Sequence, residues 1–85
     1  MRKIIIFGCG SLGKRVYNTY KINNEIVAFC DNDPKKQGKS YEGISVKAPS
    51  EICNIKFDKI IVSSTYYQSI IEQLHKYNIP HKKIK

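Results

Sequence analysis

The stretch Ile4-Ile5-Ile6-Phe7-Gly8-Cys9-Gly10-Ser11-Leu12-Gly13 decides the fold. Its first half closes a short apolar run, Arg2 to Phe7. Such a run, without alternation, reads as a strand buried on both faces, the kind found in parallel sheets. From Ser11 to Lys21 the period changes. Leu12, Val16 and Tyr20 fall at i, i+4 and i+8, one stripe of a helix. Between them lies G-x-G-x-x-G. That pattern is weak alone, but here it follows an expected strand and opens an expected helix, the context it requires. Gly8 then allows the tight turn off the strand. Gly10, without a Cβ, lets a pyrophosphate approach the backbone. Gly13 lets the helix pack against the sheet. The first N–H groups of the helix, at Ser11, Leu12 and Gly13, point at the phosphates, and the helix dipole favours their charge. The competing reading is a glycine turn that only joins strand to helix.

Working outward, Asn23-Asn24 breaks the first helix, and Glu25 to Cys30 is a second apolar strand. Asp31-Asn32-Asp33-Pro34 ends it with turn chemistry. Lys35 to Glu42 is polar, punctuated by Gly38 and followed by Gly43. Ile44-Ser45-Val46 reads as a short edge strand. Pro49-Ser50-Glu51 opens a short helix, with Pro in the first turn and an acid near the positive end. Asp58 to Ser63, around Ile60-Ile61-Val62, is a third central strand. Thr65 and Gln68 fit a capping box, and Ile70, Ile71, Leu74 and Tyr77 form the stripe of the next helix. His75 and Lys76 suit its negative end, and Asn78 and Pro80 stop it. His81 to Lys85 reads as a last strand. The order β-α-β-β-α-β-α-β implies an α/β fold. A small doubly wound parallel sheet of order 3-2-1-4-5 is expected, as a three-layer αβα sandwich.

With 85 residues, the chain is a single domain, 1–85, with no room for a second. Hydrophobic residues at 41% and charged residues at 26% match a soluble globular protein. A domain near this size has a modest core, which argues against a deeply enclosed active site. No apolar run approaches the ~18 residues of a membrane span. The apolar start is too short for a signal peptide. A cytoplasmic protein with no membrane partner is expected. The net charge of +8 invites a nucleic-acid reading. However, only 2 of the 15 cations are Arg, and the Lys are scattered along the chain. This is a compositional bias toward Lys, Ile and Asn rather than a phosphate track, and it argues against nucleic acid. Attraction of phosphorylated small molecules uses the same charge. Three cysteines, Cys9, Cys30 and Cys53, make an odd count and point to reduced thiols. Neither Cys-x-x-Cys nor a Cys/His spacing suggests a metal. Cys30 and Cys53 read as small buried hydrophobes.

Asp31 lies 18 residues after Gly13, at the end of the second strand. A carboxylate there can accept hydrogen bonds from both ribose hydroxyls of a nucleotide, and it repels a 2′-phosphate. That favours NAD over NADP, an exclusion that Lys35 and Lys36 weaken. The alternative for Asp31 is a plain turn residue before Pro34, which is the reading of Asp33. Ser63-Ser64-Thr65 ends the third central strand beside the glycine loop, where ligands sit in open α/β sheets. Thr65 is explained by the cap, so Ser63 is the expected ligand contact. Tyr17-Asn18-Thr19-Tyr20-Lys21 fits the Y-x-x-x-K pair of short-chain dehydrogenases, but on the wrong helix. His75 and His81 have no partner and read as surface residues. No catalytic constellation is visible.

With the loop and Asp31 placed, Ile4 to Lys14, Val27 to Lys39 and Gly43 to Val46 resemble one family. It is the small N-terminal Rossmann-like domain of bacterial surface-polysaccharide proteins. Such domains precede nucleotide-sugar acetyltransferases, nucleotide-sugar dehydratases and some sugar-modifying methyltransferases. F-x-D-x-D-P-x-x-x-G, at Phe29 to Gly38, followed by G-x-x-V, at Gly43 to Val46, carries more of the likeness than the glycine loop. In the acetyltransferase branch, the resemblance implies a UDP site at Gly8, Gly10, Gly13, Asp31 and Asn32. That branch has Gly-His where this chain has Ser11-Leu12, and its β-helix is absent. The dehydratase-type loop is closer and implies NAD or a nucleotide sugar.

The expected ligand site is therefore Gly8, Cys9, Gly10, Ser11, Leu12, Gly13, Asp31, Asn32 and Ser63, with NAD or a UDP-sugar as ligand. The module is expected to serve a sugar-modifying enzyme as a fragment or accessory, with the chemistry in residues beyond Lys85. The alternatives are a non-catalytic NAD- or CoA-sensing regulatory domain, and an oligomerisation domain with an empty pocket whose edge strands pair with another copy. Two local expectations follow. Asp31→Ala leaves the fold intact. Cys9, at the positive end of a helix, is either the most reactive thiol, protected by ligand, or turned into the sheet and inert.

Overall fold

Four apolar residues in a row are all buried only if both faces of a strand are covered. Ile4 to Phe7 are buried in this way in the computed structural model, which describes all 85 residues. Chain order is β1 (Lys3–Phe7), α1 (Ser11–Tyr20), β2 (Glu25–Cys30), β3 (Ser40–Tyr41), β4 (Ile44–Lys47), a 3₁₀ helix (Pro49–Asn54), β5 (Lys59–Val62), α2 (Tyr67–Lys76) and a 3₁₀ turn (His81–Lys83). The sheet runs β3-β4-β2-β1-β5. All its pairings are parallel except β3 with β4. The fold is the expected α/β, doubly wound arrangement.

β1 splits its side chains between two cores. Ile5 and Phe7 join Cys30, Ile60, Ile52 and the α2 residues Ile70, Ile71 and Leu74. Ile4 and Ile6 join Phe29, Val46, Ile61 and Tyr17 of α1 on the other face. This is a three-layer sandwich, with the sheet in the middle. The 3₁₀ helix shares the α2 face through Ile52, and Glu51 Oε1 accepts the Ala48 N–H at 2.9 Å where that helix begins.

Five details depart from the sequence reading. Ile44 to Val46 is not the sheet edge, because β3 folds back outside it. Glu42 and Gly43 both take positive φ, 53° and 76°, which makes a two-residue hairpin turn. The last strand shrinks to one bridge, Ile84 beside Ile60. The 3₁₀ turn after Pro80 uses the backbone first, with Lys83 N–H donating to Pro80 O at 2.9 Å. Leu12 is 43% exposed, so the α1 stripe is rotated: Gly13 and Tyr17 are buried, with Val16 and Tyr20 at its margin. The helix sits down on a residue that has no side chain, which hydrophobic spacing cannot register. The Thr65–Gln68 capping box does not form. α2 begins at Tyr67 after an uncapped Tyr66, whose N–H is taken at 3.0 Å by Ser64 Oγ. Cys53 is exposed, because its neighbour Ile52 takes the core position of the 3₁₀ helix.

Candidate functional site

The carboxyl ends of β1, β2 and β5 meet at the glycine turn. Gly8 takes φ 115°, a conformation that L side chains rarely adopt. Its N–H donates to Cys30 O at 2.6 Å, which ties the turn to β2. A Cβ on Gly8 would come 2.6 Å from Ser63 O, and a Cβ on Gly13 would run into the Gly8 carbonyl. Strand, turn and helix are therefore packed backbone to backbone. Ser63 is buried, and its Oγ donates to Phe7 O at 3.0 Å. Gly10 differs from the other two. Its φ of −100° and ψ of −160° are open to any residue. A Cβ there would meet only Lys36 Nζ, at 3.6 Å.

Asp31 holds this turn from the side. Its Oδ2 accepts the Cys9 N–H at 2.8 Å, and its Oδ1 accepts the Asp33 N–H at 2.9 Å. A carboxylate has about four acceptor positions, so each oxygen keeps one free. Asp33 is the turn residue expected of it, accepting the Lys35 N–H at 2.9 Å. Asn32 and Gln73 exchange two side-chain hydrogen bonds, 3.0 and 2.8 Å, which join the β2 loop to α2.

Between these groups lies a cavity of about 610 Å³. It brings together Gly8, Gly10, Asp31, Asn32 and Ser63. Ser11, Leu12 and Gly13 are not in its wall: Leu12 faces solvent, and Gly13 is spent on packing. Cys9 lines a second, smaller cavity. The wall also includes Tyr66, Ser69 and Gln73, which the sequence reading did not single out. Their spacing of three and four places them on one line along α2 and its N-cap, beside Ile70 of the apolar stripe, which lines the same cavity.

The thiols fall out by burial. Cys9 is buried, and desolvation raises its pKa. Lys14 and Lys36 pull it back down, and Asp31 pushes it further up. Of the two readings of Cys9, burial favours the inert one, because desolvation outweighs the lysine charges. Burial pushes Cys30 up to about 12. The accessible thiol is Cys53. Tyr17 is buried against Phe29 and Tyr41, with Lys21 Nζ 5.3 Å from its ring centroid, so the Y-x-x-x-K spacing is core packing. His75 and His81 are exposed, their rings 5.7 Å apart.

The family model described as C2185-like, N-terminal, matches residues 1–85. The redox-sensing transcriptional repressor Rex of Brevibacillus brevis is 37% identical over 81 residues. That match takes in 85% of this chain and 39% of Rex, so the chain spans about two-fifths of that relative. The crystal structure of UDP-D-quinovosamine 4-dehydrogenase from Vibrio fischeri superposes with a TM-score of 0.75 at 25% identity. It covers 99% of this chain and 74% of the dehydrogenase chain. With the doubly wound sheet and glycine turn described above, these likenesses make the domain Rossmann-like.

Proposed function

The chain belongs to the C2185-like, N-terminal family, and from that premise and the glycine turn we propose that it is a nucleotide-binding module. Its ligand is a nucleotide or nucleotide sugar, of the NAD or UDP-sugar class. Gly10 is the observation that carries this reading. Gly8 and Gly13 are required by the fold, but nothing within the chain requires a glycine at position 10. A phosphate lying against the backbone does require one. Gly10 itself lines the cavity and offers α1 no side-chain cap. Asp31 and Asn32 stand at the β2 side of the cavity for a ribose, and Ser63 with Ser64 stands at the β5 side. The module serves a polysaccharide- or sugar-modifying enzyme. The name of the Vibrio fischeri dehydrogenase, which acts on a UDP-sugar, supports that setting.

A second reading rests on the likeness to Rex: a non-catalytic domain that senses NAD or CoA in a regulator. Both readings share the binding step. Calorimetric titration with UDP, a UDP-sugar, NAD and CoA tests it, and at least one should bind below millimolar concentration. Failure of all four overturns the proposal. Binding of UDP or a UDP-sugar favours the first reading and binding of CoA the second, while NAD is common to both. Asp31→Asn should weaken binding by about 1.5–3 kcal/mol, the scale of a charge-assisted hydrogen bond. Because Asp31 also holds the Cys9 and Asp33 N–H groups, Asp31→Ala should lower thermal stability as well, which revises the expectation of an untouched fold. Unchanged affinity in folded Asp31→Asn would leave the acid as a loop staple alone.

A further inference from the structure

We propose that the smaller cavity beside the glycine turn seats a phosphoryl group carried on the ribose of the bound nucleotide, held by Lys14, Lys36 and Lys39. The inference rests on the nucleotide-binding reading and shifts its ligand from NAD or a UDP-sugar to a nucleotide with an added 2′- or 3′-phosphate on its ribose, against the preference for NAD over NADP expected from Asp31 alone.

The cavity measures about 180 Å³ and is lined by Cys9, the three lysines, Ser40 and Tyr41, with Val46 behind them. Its lysines come from separate places in the fold: Lys14 from α1, Lys36 from the loop after β2, and Lys39 from the approach to β3. No carboxylate lines it. Three lysines that line one hollow with no acid between them repel one another, and a dianion among them reverses the sign of that energy. The hydroxyls of Ser40 and Tyr41 add neutral donors for the same oxygens.

The cationic wall is built on fixed backbone. Gly38 N–H donates to Val46 O at 2.9 Å, and Val46 N–H donates to Lys39 O at 2.8 Å, which pins the loop to β4. Lys39 N–H donates back to Lys36 O at 3.2 Å, a turn that carries both side chains to the same hollow. Lys14 Nζ rests 4.9 Å from the centroid of the Tyr41 ring, which steers its ammonium over the β3 side. The charges of Lys14 and Lys36 both act on the Cys9 thiol, which lines the same cavity, and Asp31 acts on it with the opposite sign.

The link to the nucleotide is Lys36. It lines both cavities, and its Nζ stands over the open side of Gly10. A ribose held at the β2 end therefore has this hollow as its neighbour. Asp31 and Asp33 both line the larger cavity beside Lys36, and alone they would repel a phosphate there. Asp33 accepts the Lys35 N–H and is drawn into the loop backbone. Asp31 is the nearer acid to the Cys9 side. Both its oxygens already accept backbone N–H groups, and three cations lie beyond it.

Two ligand pairs isolate the group. NADP differs from NAD by a ribose 2′-phosphate, and CoA differs from dephospho-CoA by a ribose 3′-phosphate. Calorimetry on the full chain should show at least tenfold tighter binding of the phosphorylated member in one pair. Lys39→Gln, which alters only the smaller cavity, should reduce that gain below threefold and leave the dephosphorylated member unchanged. If NAD, dephospho-CoA or UDP binds but neither pair differs, this inference is overturned and the nucleotide reading stands. If inorganic phosphate competes at the cavity while neither pair differs, the ribose-borne source is likewise wrong. If no nucleotide binds, both readings fall.

Discussion

Gly10 and Gly13 stand three residues apart in one motif and answer to different constraints. Gly13→Ala would drive a methyl into the Gly8 carbonyl, with Ser63 Oγ 3.3 Å away, so α1 must lift from the sheet. Overpacking of that kind costs about 1–3 kcal/mol, and urea denaturation should show a loss of that size. Gly10→Ala meets only the far end of a lysine, so its stability should stay within about 0.5 kcal/mol of the parent. Its nucleotide affinity should nevertheless fall at least tenfold. Equal affinity for Gly10→Ala and the parent would remove the observation on which the binding reading depends. The sequence distinguishes the three glycine roles because they follow from the strand–turn–helix context. It does not reveal that Asp31 accepts the Cys9 N–H, since that contact depends on how β2 sits beside β1. Nor does it reveal the state of Cys9. Helix-end electrostatics and burial act on the thiol in opposite directions, and only packing decides between them.

Among the elements, the central strands are the most legible because burial on both faces leaves an unbroken apolar run, as at Ile4 to Phe7 and Ile60 to Val62. The β3–β4 hairpin escapes notice for two reasons. β3 has only two residues, and its turn is Glu42-Gly43 rather than the Asn-Gly that marks such turns. Glu42 is held at φ 53°, where a branch-free glycine or an asparagine sits with less strain. Glu42→Asn should therefore stabilise the protein by about 0.5 kcal/mol. The gain should appear as a higher urea midpoint with an unchanged slope. A lower midpoint would mean that the turn does not take this conformation in solution. The hairpin also bears on function, because Ser40 and Tyr41 of β3 form one wall of the smaller cavity. α1 illustrates the opposite case. Its existence is readable, but its buried face is not, because the anchor is Gly13. The polar line of Tyr66, Ser69 and Gln73 is visible in the spacing of three and four, but spacing does not say that this line faces a cavity.

For the whole molecule, stability resides in two cores that share the sheet as a common wall, and Cys30 sits fully buried in the one beneath α2. That placement makes global stability depend on alkaline pH. Burial raises the Cys30 thiol from its ordinary 9.0 to about 12, and the charges of Asp31 and Glu51 push the same way. The unfolded chain, with its thiol in water, ionises near the ordinary value. Between about pH 9 and 12 the folded state thus keeps a proton that the unfolded state has lost, so stability falls as pH rises. Below that window the thiol is protonated in both states, and its contribution is fully present. Cys9 is shifted in the same direction and adds to the fall. The comparison that isolates the thiol is with Cys30→Ala. At pH 7 this variant should be less stable by about 1 kcal/mol, for the small hole it leaves. Its stability should then decline less steeply than the parent's from pH 9 to 11, so that the gap between the two closes. Urea midpoints at pH 7, 9, 10 and 11 measure this. A gap that stays constant across the series would mean that Cys30 ionises equally in the folded and unfolded chains, and so that water reaches the core beneath α2.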